Sequence, residues 1–169
     1  LRSLVGSEMC IRDRAGIAPL AVATDGGGST RIPAACNGVV GIKQSVGVIP
    51  HSQAQDLYGN QTYVTPMTRT VGDTALMLQA MAGPSPVDPW SIGLRSHDYV
   101  AAAANPGDLR GRRVLCCAAP PGRPVSADVA LNFEAALRTL KDLGASIEYF
   151  DGEGLSLIHI SEPTRLLSI

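Results

Sequence analysis

A serine follows three consecutive glycines at residues 26–29, and this arrangement could carry nucleophilic chemistry. Glycine has no Cβ, so its backbone can adopt conformations in which successive N–H groups point toward one position. Ser29 could then attack a carbonyl carbon, while the N–H groups of Gly26, Gly27 and Gly28 hold the oxygen that becomes negatively charged. The pattern predicts a serine nucleophile beside an oxyanion hole, although Gly-Gly-Gly-Ser taken alone is more typical of a turn or a linker.

Charged residues on both sides of the glycines could support this loop. Asp25 precedes them, where its carboxylate can accept backbone N–H groups, and Arg31 follows the serine, where its guanidinium can bind that carboxylate or nearby carbonyls. For each residue taken singly, the alternative is a surface salt bridge of small energetic value. If the glycines adopt positive φ angles, a Gly27→Val substitution is expected to distort the loop, because a β-branched residue tolerates such angles poorly.

The neighbouring segments favour an ordered loop over a flexible linker. The apolar run at residues 19–24 predicts a buried, central strand that ends at the glycines. Residues 32–42 combine small and branched apolar side chains, which favours a helix packed tightly against a sheet, with Gly38 and Gly41 allowing close approach. The glycines are therefore expected to join two ordered elements.

The loop resembles the serine loop of the amidase signature family, G-T-D-x-G-G-S-I-R-x-P-A, which is followed by G-x-x-G-x-K-P-T-x-G-x-x-P. The matching positions are Thr24, Asp25, Gly27, Gly28, Ser29, Arg31, Pro33 and Ala34 in the first motif and Gly38, Gly41, Lys43, Gly47 and Pro50 in the second. The chain departs from the pattern at Ala23, Thr30 and Gln44, where the family has glycine, isoleucine and proline. None of these departures removes a group that does chemistry.

A second segment is similar to the same family. The sequence VTPMTRTVGDTALMLQAMAG at residues 64–83 resembles a recurring G-P-M-x-R-T-V-x-D-x-A-L-x-L-x-x-M-x-G pattern. Within it, Thr70 followed by Asp73 predicts the start of a helix, and Gly83 with Pro84 predicts its end. Because nearly every residue between them is apolar, this helix is expected to be buried.

The resemblance implies an α/β fold, in which a mixed β-sheet is flanked by helices, and a hydrolysis reaction. Ser29 would attack a carboxylic amide and form an acyl-enzyme, with Thr24, Asp25 and Arg31 supporting the loop and with no metal or cofactor. In the family a lysine far upstream and a bridging serine activate the nucleophile, and no position of this chain matches either. The chain by itself is therefore expected to be inactive, and its expected partner is a small-molecule amide, with a homo-oligomer or a companion subunit left open.

Other functions are compatible with parts of the pattern. An amidotransferase component that acts on misacylated tRNA would carry the same motifs. A non-catalytic module could bind a phosphate at the glycine loop, although no Gly-Lys-Ser/Thr follows the glycines. A Ser-His-Asp arrangement of Ser29 with His51 and Asp56 is less favoured, because a single loop histidine is usually solvated. Lys43 matches the downstream motif and is interpreted as structural.

Both ends of the chain are expected not to be native protein. One strand of a DNA adapter translates to LSLIHISEPTRLLSI, which is residues 155–169, and its reverse complement translates to LRSLVGSEMCIRD, which begins residues 1–14. Two unrelated protein segments would not encode each other's complement. We interpret both segments as translated sequencing-adapter DNA and give them no function. Residues 15–154 are then expected to form a partial amidase domain.

Composition excludes several classes of function. The 169 residues carry 14 basic and 15 acidic side chains, so no basic excess indicates direct nucleic-acid binding. No apolar run reaches the roughly 20 residues that would span a bilayer. The cysteines outside the two adapter segments, Cys36, Cys116 and Cys117, lack the Cys-x-x-Cys spacing of redox or zinc sites, which favours a reduced, cytoplasmic compartment.

The second half of the chain predicts a β-α-β unit. Residues 113–118 read as a strand, an amphipathic helix is expected to begin at Ser126 and to end at Gly144, and residues 146–150 read as another strand. A short helix is expected before them, at residues 98–104. The order strand, helix, strand predicts a parallel pair of strands.

Overall fold

The computed structural model describes residues 15–51, 62–95, 97–119 and 121–152. These residues divide after Pro106 into two compact units. The sequence predicts one domain at residues 15–154 and does not predict this division. The two segments interpreted as adapter lie outside the described residues. Within the described ranges, no helix is long and apolar enough to cross a membrane.

The first unit is built on a three-stranded antiparallel sheet. Its strands are β1 (Leu20–Asp25), β2 (Val40–Gly41) and β3 (Tyr63–Thr68), and β3 lies in the middle. The expectation of a central, buried strand at residues 19–24 is wrong in part, because β1 pairs only with β3 among the described residues. Side chains of β1 alternate between exposed and less exposed positions: Ala23 packs into a small core with Ala34 and Met67, and the buried Asp25 side chain binds the Gly28 N–H.

Strand β3 is not predicted from the sequence. Its fourth residue is Pro66, and proline has no N–H to donate to a strand ladder. The register explains how it is tolerated: β2 pairs with Met67 and Thr68 and does not extend to Pro66, which pairs with Val22 of β1 alone. A proline at such a position leaves the sheet intact.

Helix α1 (Arg31–Asn37) is shorter than the predicted helix at residues 32–42. It ends because Gly38 adopts a left-handed conformation with φ 65°, and the chain then enters β2. The expected close approach is confirmed at Gly41, where an added Cβ would lie 2.7 Å from the Cβ of Ala34. Tight packing at Gly41 is therefore predicted correctly, but Gly41 lies in strand β2 and not in a helix.

Helix α2 (Val71–Met81) begins as predicted. The Thr70 hydroxyl accepts the Asp73 N–H at 3.1 Å and donates to the Asp73 carboxylate at 2.8 Å. The helix is half-buried, not buried throughout, because Val71 and Leu76 are 64% and 55% exposed. A short 3₁₀ turn at Pro89–Ser91 and helix α3 (Tyr99–Ala104) complete the first unit.

The second unit confirms the predicted β-α-β arrangement. Strands β4 (Arg113–Cys116) and β5 (Ser146–Tyr149) are parallel and are joined by helix α4 (Ala127–Asp142). After α4, Gly144 adopts φ 98° and turns the chain into β5. The protein therefore has the α/β fold that the sequence predicts, with antiparallel and parallel pairs in separate sheets.

Candidate functional site

The serine loop is organised around the side chain of Asp25. This residue ends β1, where it pairs with Tyr63, and its side chain is fully buried. One carboxylate oxygen accepts the Gly28 N–H at 2.7 Å, and the other accepts the N–H groups of Thr30 and Arg31 at 3.3 and 3.4 Å. The strand thus delivers a fixed acceptor, and the glycine loop folds over it.

Arg31 binds the same carboxylate with its side chain. The guanidinium donates from Nε to Oδ2 and from Nη2 to Oδ1, both at 3.0 Å. Burial raises the pKa of Asp25, but the hydrogen bonds from Arg31 and from the N–H groups of Gly28 and Thr30 outweigh burial and hold this pKa below its ordinary value of 3.8. The carboxylate is therefore ionised at neutral pH and suited to holding the loop in place.

Of the three glycines, Gly28 alone adopts a positive φ angle, at 116°. An added Cβ there would also lie 2.8 Å from Cδ1 of Ile32. At Gly27, by contrast, φ is not positive and an added Cβ would meet no atom within 4 Å. The expectation that Gly27→Val distorts the loop through a positive φ angle is therefore wrong, and Gly28 is the position that requires glycine.

The backbone N–H groups of the loop fall into two sets, those that donate to Asp25 and those that have no partner among the described residues. The Gly28 N–H donates to Asp25 and is therefore not free to bind a substrate oxygen, which corrects the prediction that it contributes to an oxyanion hole. Among the described residues, the N–H groups of Gly26, Gly27 and Ser29 have no hydrogen-bond partner. These three donors are the ones that could bind a substrate oxygen.

Ser29 itself is exposed, and its hydroxyl has no hydrogen-bond partner within the described part of the chain. No base activates it there. Thr24 lies in β1 opposite Val64 with an exposed side chain, and it makes no side-chain hydrogen bond to the described loop residues. Any support that Thr24 gives to the loop would therefore come from its backbone in the sheet.

Lys43 and His51, considered as alternative bases, both have other contacts. The Lys43 ammonium lies 3.6 Å from the centre of the Tyr63 ring, which is a cation–π contact. The His51 backbone N–H donates to the buried carboxylate of Asp88 at 3.2 Å. Asp56, the third member of the alternative triad, lies outside the described residues. These contacts favour structural roles for Lys43 and for the backbone of His51.

One contact beside Ser29 is not predicted from the sequence. The hydroxyl oxygens of Thr30 and Thr65 lie 2.5 Å apart, and both side chains are fully buried. The residues are separated by 35 positions, so no local pattern could have paired them. In the sequence, Thr30 stands out only as a departure from the isoleucine of the family motif.

Comparisons with known proteins agree with the motifs. The family model for amidases matches residues 15–159. An acylamidase from Rhodococcus erythropolis is 44% identical over 133 residues, which are 79% of this chain and 28% of that protein. A glutamyl-tRNA(Gln) amidotransferase subunit from Acidothermus cellulolyticus is 39% identical over 130 residues, which are 77% of this chain and 26% of that protein.

A solved structure gives the same result for the fold. A bacterial aryl acylamidase of the amidase signature family is similar with a TM-score of 0.73 and 32% identity, over 87% of this chain and 30% of that one. The chain therefore spans less than a third of the length of these relatives. By its motifs, its fold and these similarities, the chain belongs to the amidase signature family.

Proposed function

We propose that this chain is part of an amidase in which Ser29 is the nucleophile. The Ser29 oxygen attacks the carbonyl carbon of a carboxylic amide, the amine leaves, and water then hydrolyses the resulting ester on Ser29. The observation that carries the proposal is the position of the Ser29 hydroxyl, which is exposed beside N–H groups that are unpaired among the described residues, on a loop that Asp25 holds in place.

In this proposal the loop stabilises the charge that develops on the substrate oxygen. The N–H groups of Gly26, Gly27 and Ser29 are the candidate donors, because Asp25 occupies the N–H of Gly28. Fixed donors of this kind stabilise the transition state without reorganising during the reaction, and losing one costs about 10²–10³ in kcat in enzymes where it has been measured. The loop would therefore divide its N–H groups between structure and catalysis.

The base that activates Ser29 is expected to lie in a part of the amidase that this chain does not match. A serine hydroxyl is a weak nucleophile at neutral pH and needs a positioned base. The family's upstream lysine and bridging serine have no counterpart at any position of this chain. We therefore expect the 169-residue chain to show at most residual turnover, as enzymes do when one member of a catalytic group is removed.

The test compares the complete reading frame, recovered from the source DNA, with the 169-residue chain. Hydrolysis of a panel of small amides and labelling by a fluorophosphonate probe are measured for both. The matched control for Ser29→Ala is Ser45→Ala, which removes another exposed hydroxyl from the same chain.

The expected result is turnover and labelling by the complete protein, lost in Ser29→Ala and kept in Ser45→Ala. A complete protein whose turnover and labelling are unaffected by Ser29→Ala would refute the proposal. Robust turnover by the short chain, lost in Ser29→Ala, would show that the base lies within it, and Lys43 and His51 would then be tested as candidates.

A second candidate within the family is the component of a tRNA-dependent amidotransferase. It is favoured by the 39% identity to the glutamyl-tRNA(Gln) amidotransferase protein of Acidothermus cellulolyticus, and it predicts a companion subunit that co-purifies with the complete protein. A free amidase predicts a protein that hydrolyses small amides as a single chain or a homo-oligomer. Purification from the source organism, followed by the amide assay with and without any companion, distinguishes the two.

The anion-binding module is less consistent with the geometry. The Asp25 carboxylate already occupies the inward-facing N–H groups of Gly28 and Thr30, so an anion is bound at the loop within the chain itself. A phosphate would have to approach this buried negative charge, which Arg31 alone neutralises by an ion pair among the described residues. Phosphate binding by the chain that Ser29→Ala leaves unchanged, together with no probe labelling of the complete protein, would favour this module.

A further inference from the structure

Thr30, the residue after Ser29, is held by all three strands of the first sheet. Its N–H donates to Asp25 at the end of β1, at 3.3 Å. Its hydroxyl contacts Thr65 of β3 at 2.5 Å. It also packs against Gly41 of β2, where an added Cβ would lie 3.1 Å from Cγ2 of Thr30 and 3.0 Å from its carbonyl oxygen.

The hydroxyl pair of Thr30 and Thr65 is isolated from solvent. Both side chains are fully buried, and each hydroxyl is the only partner of the other among the described residues. A buried hydroxyl that loses its partner keeps the cost of leaving water and gains nothing in return. The pair is therefore a specific link between the serine loop and the middle strand.

Both positions depart from the family motifs given above. Thr30 stands where the serine-loop motif has isoleucine, and Thr65 stands where the G-P-M motif has glycine. The geometry joins these two departures in one contact.

We infer that the Thr30–Thr65 hydroxyl pair is a positioning device for the nucleophile. The inference rests on the proposed role of Ser29. Consecutive Cα atoms are a fixed distance of about 3.8 Å apart, so anchoring Thr30 restricts where Ser29 can lie. Neither threonine contacts the reacting atoms in this account; both act through the position of Ser29.

The experiment uses the complete amidase with the isosteric substitutions Thr30→Val and Thr65→Val. Each leaves one buried hydroxyl unpaired, and we expect each to lower kcat and the rate of fluorophosphonate labelling about tenfold or more with little change in KM, because small misplacements of a reacting group are costly. The double variant leaves no hydroxyl unpaired and is expected to recover part of the loss. Thr65→Ser keeps the hydroxyl and is expected to retain most of the activity.

Thr68→Val is the matched control. Thr68 lies on the same strand, is fully buried, and bonds to the Thr70 carbonyl and the Thr74 hydroxyl at 2.8 and 2.6 Å, away from the serine loop. We expect this variant to lose stability but to keep the kcat of the folded enzyme. Equal losses of kcat in Thr65→Val and Thr68→Val, or a double variant no better than the singles, would overturn the inference.

Failure of the proposed function can be recognised separately. It would appear as a complete protein with no labelling that depends on Ser29. The positioning link is then tested by amide hydrogen exchange at Thr30 and Gly28 in the same protein. Thr65→Val is expected to accelerate exchange at these amides about tenfold more than Thr68→Val does, because it releases the loop. Equal acceleration by the two variants would overturn the link itself.

Discussion

Replacing Asp25 by asparagine tests the central interaction of the serine loop. Asparagine has nearly the same shape, and its oxygen can still accept the Gly28 N–H. Its amide group, however, would face the N–H groups of Thr30 and Arg31 and the Arg31 Nε, which are all donors. The substitution therefore removes a charge and places donors against donors without creating a cavity.

The size of the effect follows from burial and charge. Breaking a fully buried ion pair costs about 3–5 kcal/mol, but the Arg31 side chain is 38% exposed and can be solvated, and the two hydrogen bonds to Oδ1, from the Gly28 N–H and from Arg31 Nη2, can survive. We expect the free energy of unfolding to fall by about 2–3 kcal/mol at neutral pH. For a chain of 169 residues each kcal/mol lowers Tm by about 2–4 °C, so Tm should fall by about 4–12 °C.

The pH dependence gives an independent check. Because the fold lowers the pKa of Asp25 below its ordinary 3.8, the stabilisation is complete above that value and is lost as the pH falls through the lower pKa of the folded state. The asparagine variant has no such titration. The difference in stability between the parent and Asp25→Asn should therefore be largest at neutral pH and should shrink in acid.

Urea denaturation from neutral to acid pH measures both effects. Asp108→Asn is the control, because Asp108 forms an exposed ion pair with Arg110 and its pKa is also lowered, first by the hydrogen bond from that arginine. This control should change stability little. A neutral-pH loss in Asp25→Asn no larger than in the control, or a loss that stays constant in acid, would refute the argument that Asp25 holds the loop as a buried anion.

Two further substitutions test the packing around the site. Gly47→Ala should lower the free energy of unfolding by more than about 2 kcal/mol, because Gly47 has φ 79° and an added Cβ would overlap the Trp90 carbonyl. The control is Gly93→Ala, which has φ 82° but open space around the added Cβ and should therefore cost less in the same urea titration. Equal costs would contradict the steric argument. Met67→Ala should lower the free energy of unfolding by about 2–5 kcal/mol, because the Met67 side chain is fully buried in the core. Leu76→Ala, at a residue that is 55% exposed, should lower it by about 1 kcal/mol or less. Similar losses would show that the core is misassigned.

The parts of the fold that the sequence predicts correctly depend on local signals. The start of α2 is encoded by Thr70 and Asp73, which are three residues apart, and the β-α-β unit is encoded by its own periodicity. Strand β3 depends on pairing with two distant segments and contains a proline, so neither pattern nor propensity indicates it. The sequence suggests a packing role for Gly38, whereas in the structure it ends helix α1. Glycine is common both at close contacts and at helix ends, so the residue type alone does not distinguish the two roles.

The same distinction applies to the candidate site. Every contact of Asp25 in the loop lies within six residues, and for this reason the sequence could suggest that it pins the glycines. Which N–H groups donate to Asp25 depends on the backbone conformation of the loop, including the positive φ angle of Gly28, and a sequence does not specify this conformation. The link between Thr30 and Thr65 requires the fold, since β3 brings the two side chains together across 35 positions.

If the loop binds a developing negative charge, as proposed, the buried carboxylate beside it needs a physical explanation, because like charges repel. Asp25 is compensated by the Arg31 guanidinium and by the N–H groups of Gly28, Thr30 and Arg31, which all point inward to it. The N–H groups of Gly26, Gly27 and Ser29 remain unpaired among the described residues, so the groups that bind Asp25 are not the ones proposed to bind the substrate oxygen. In the proposed reaction, one short loop would therefore satisfy its own buried anion and keep separate donors for a substrate. Donors on a flexible backbone would have to reorganise during that reaction, and the bonds to Asp25 would lower this cost by fixing the loop.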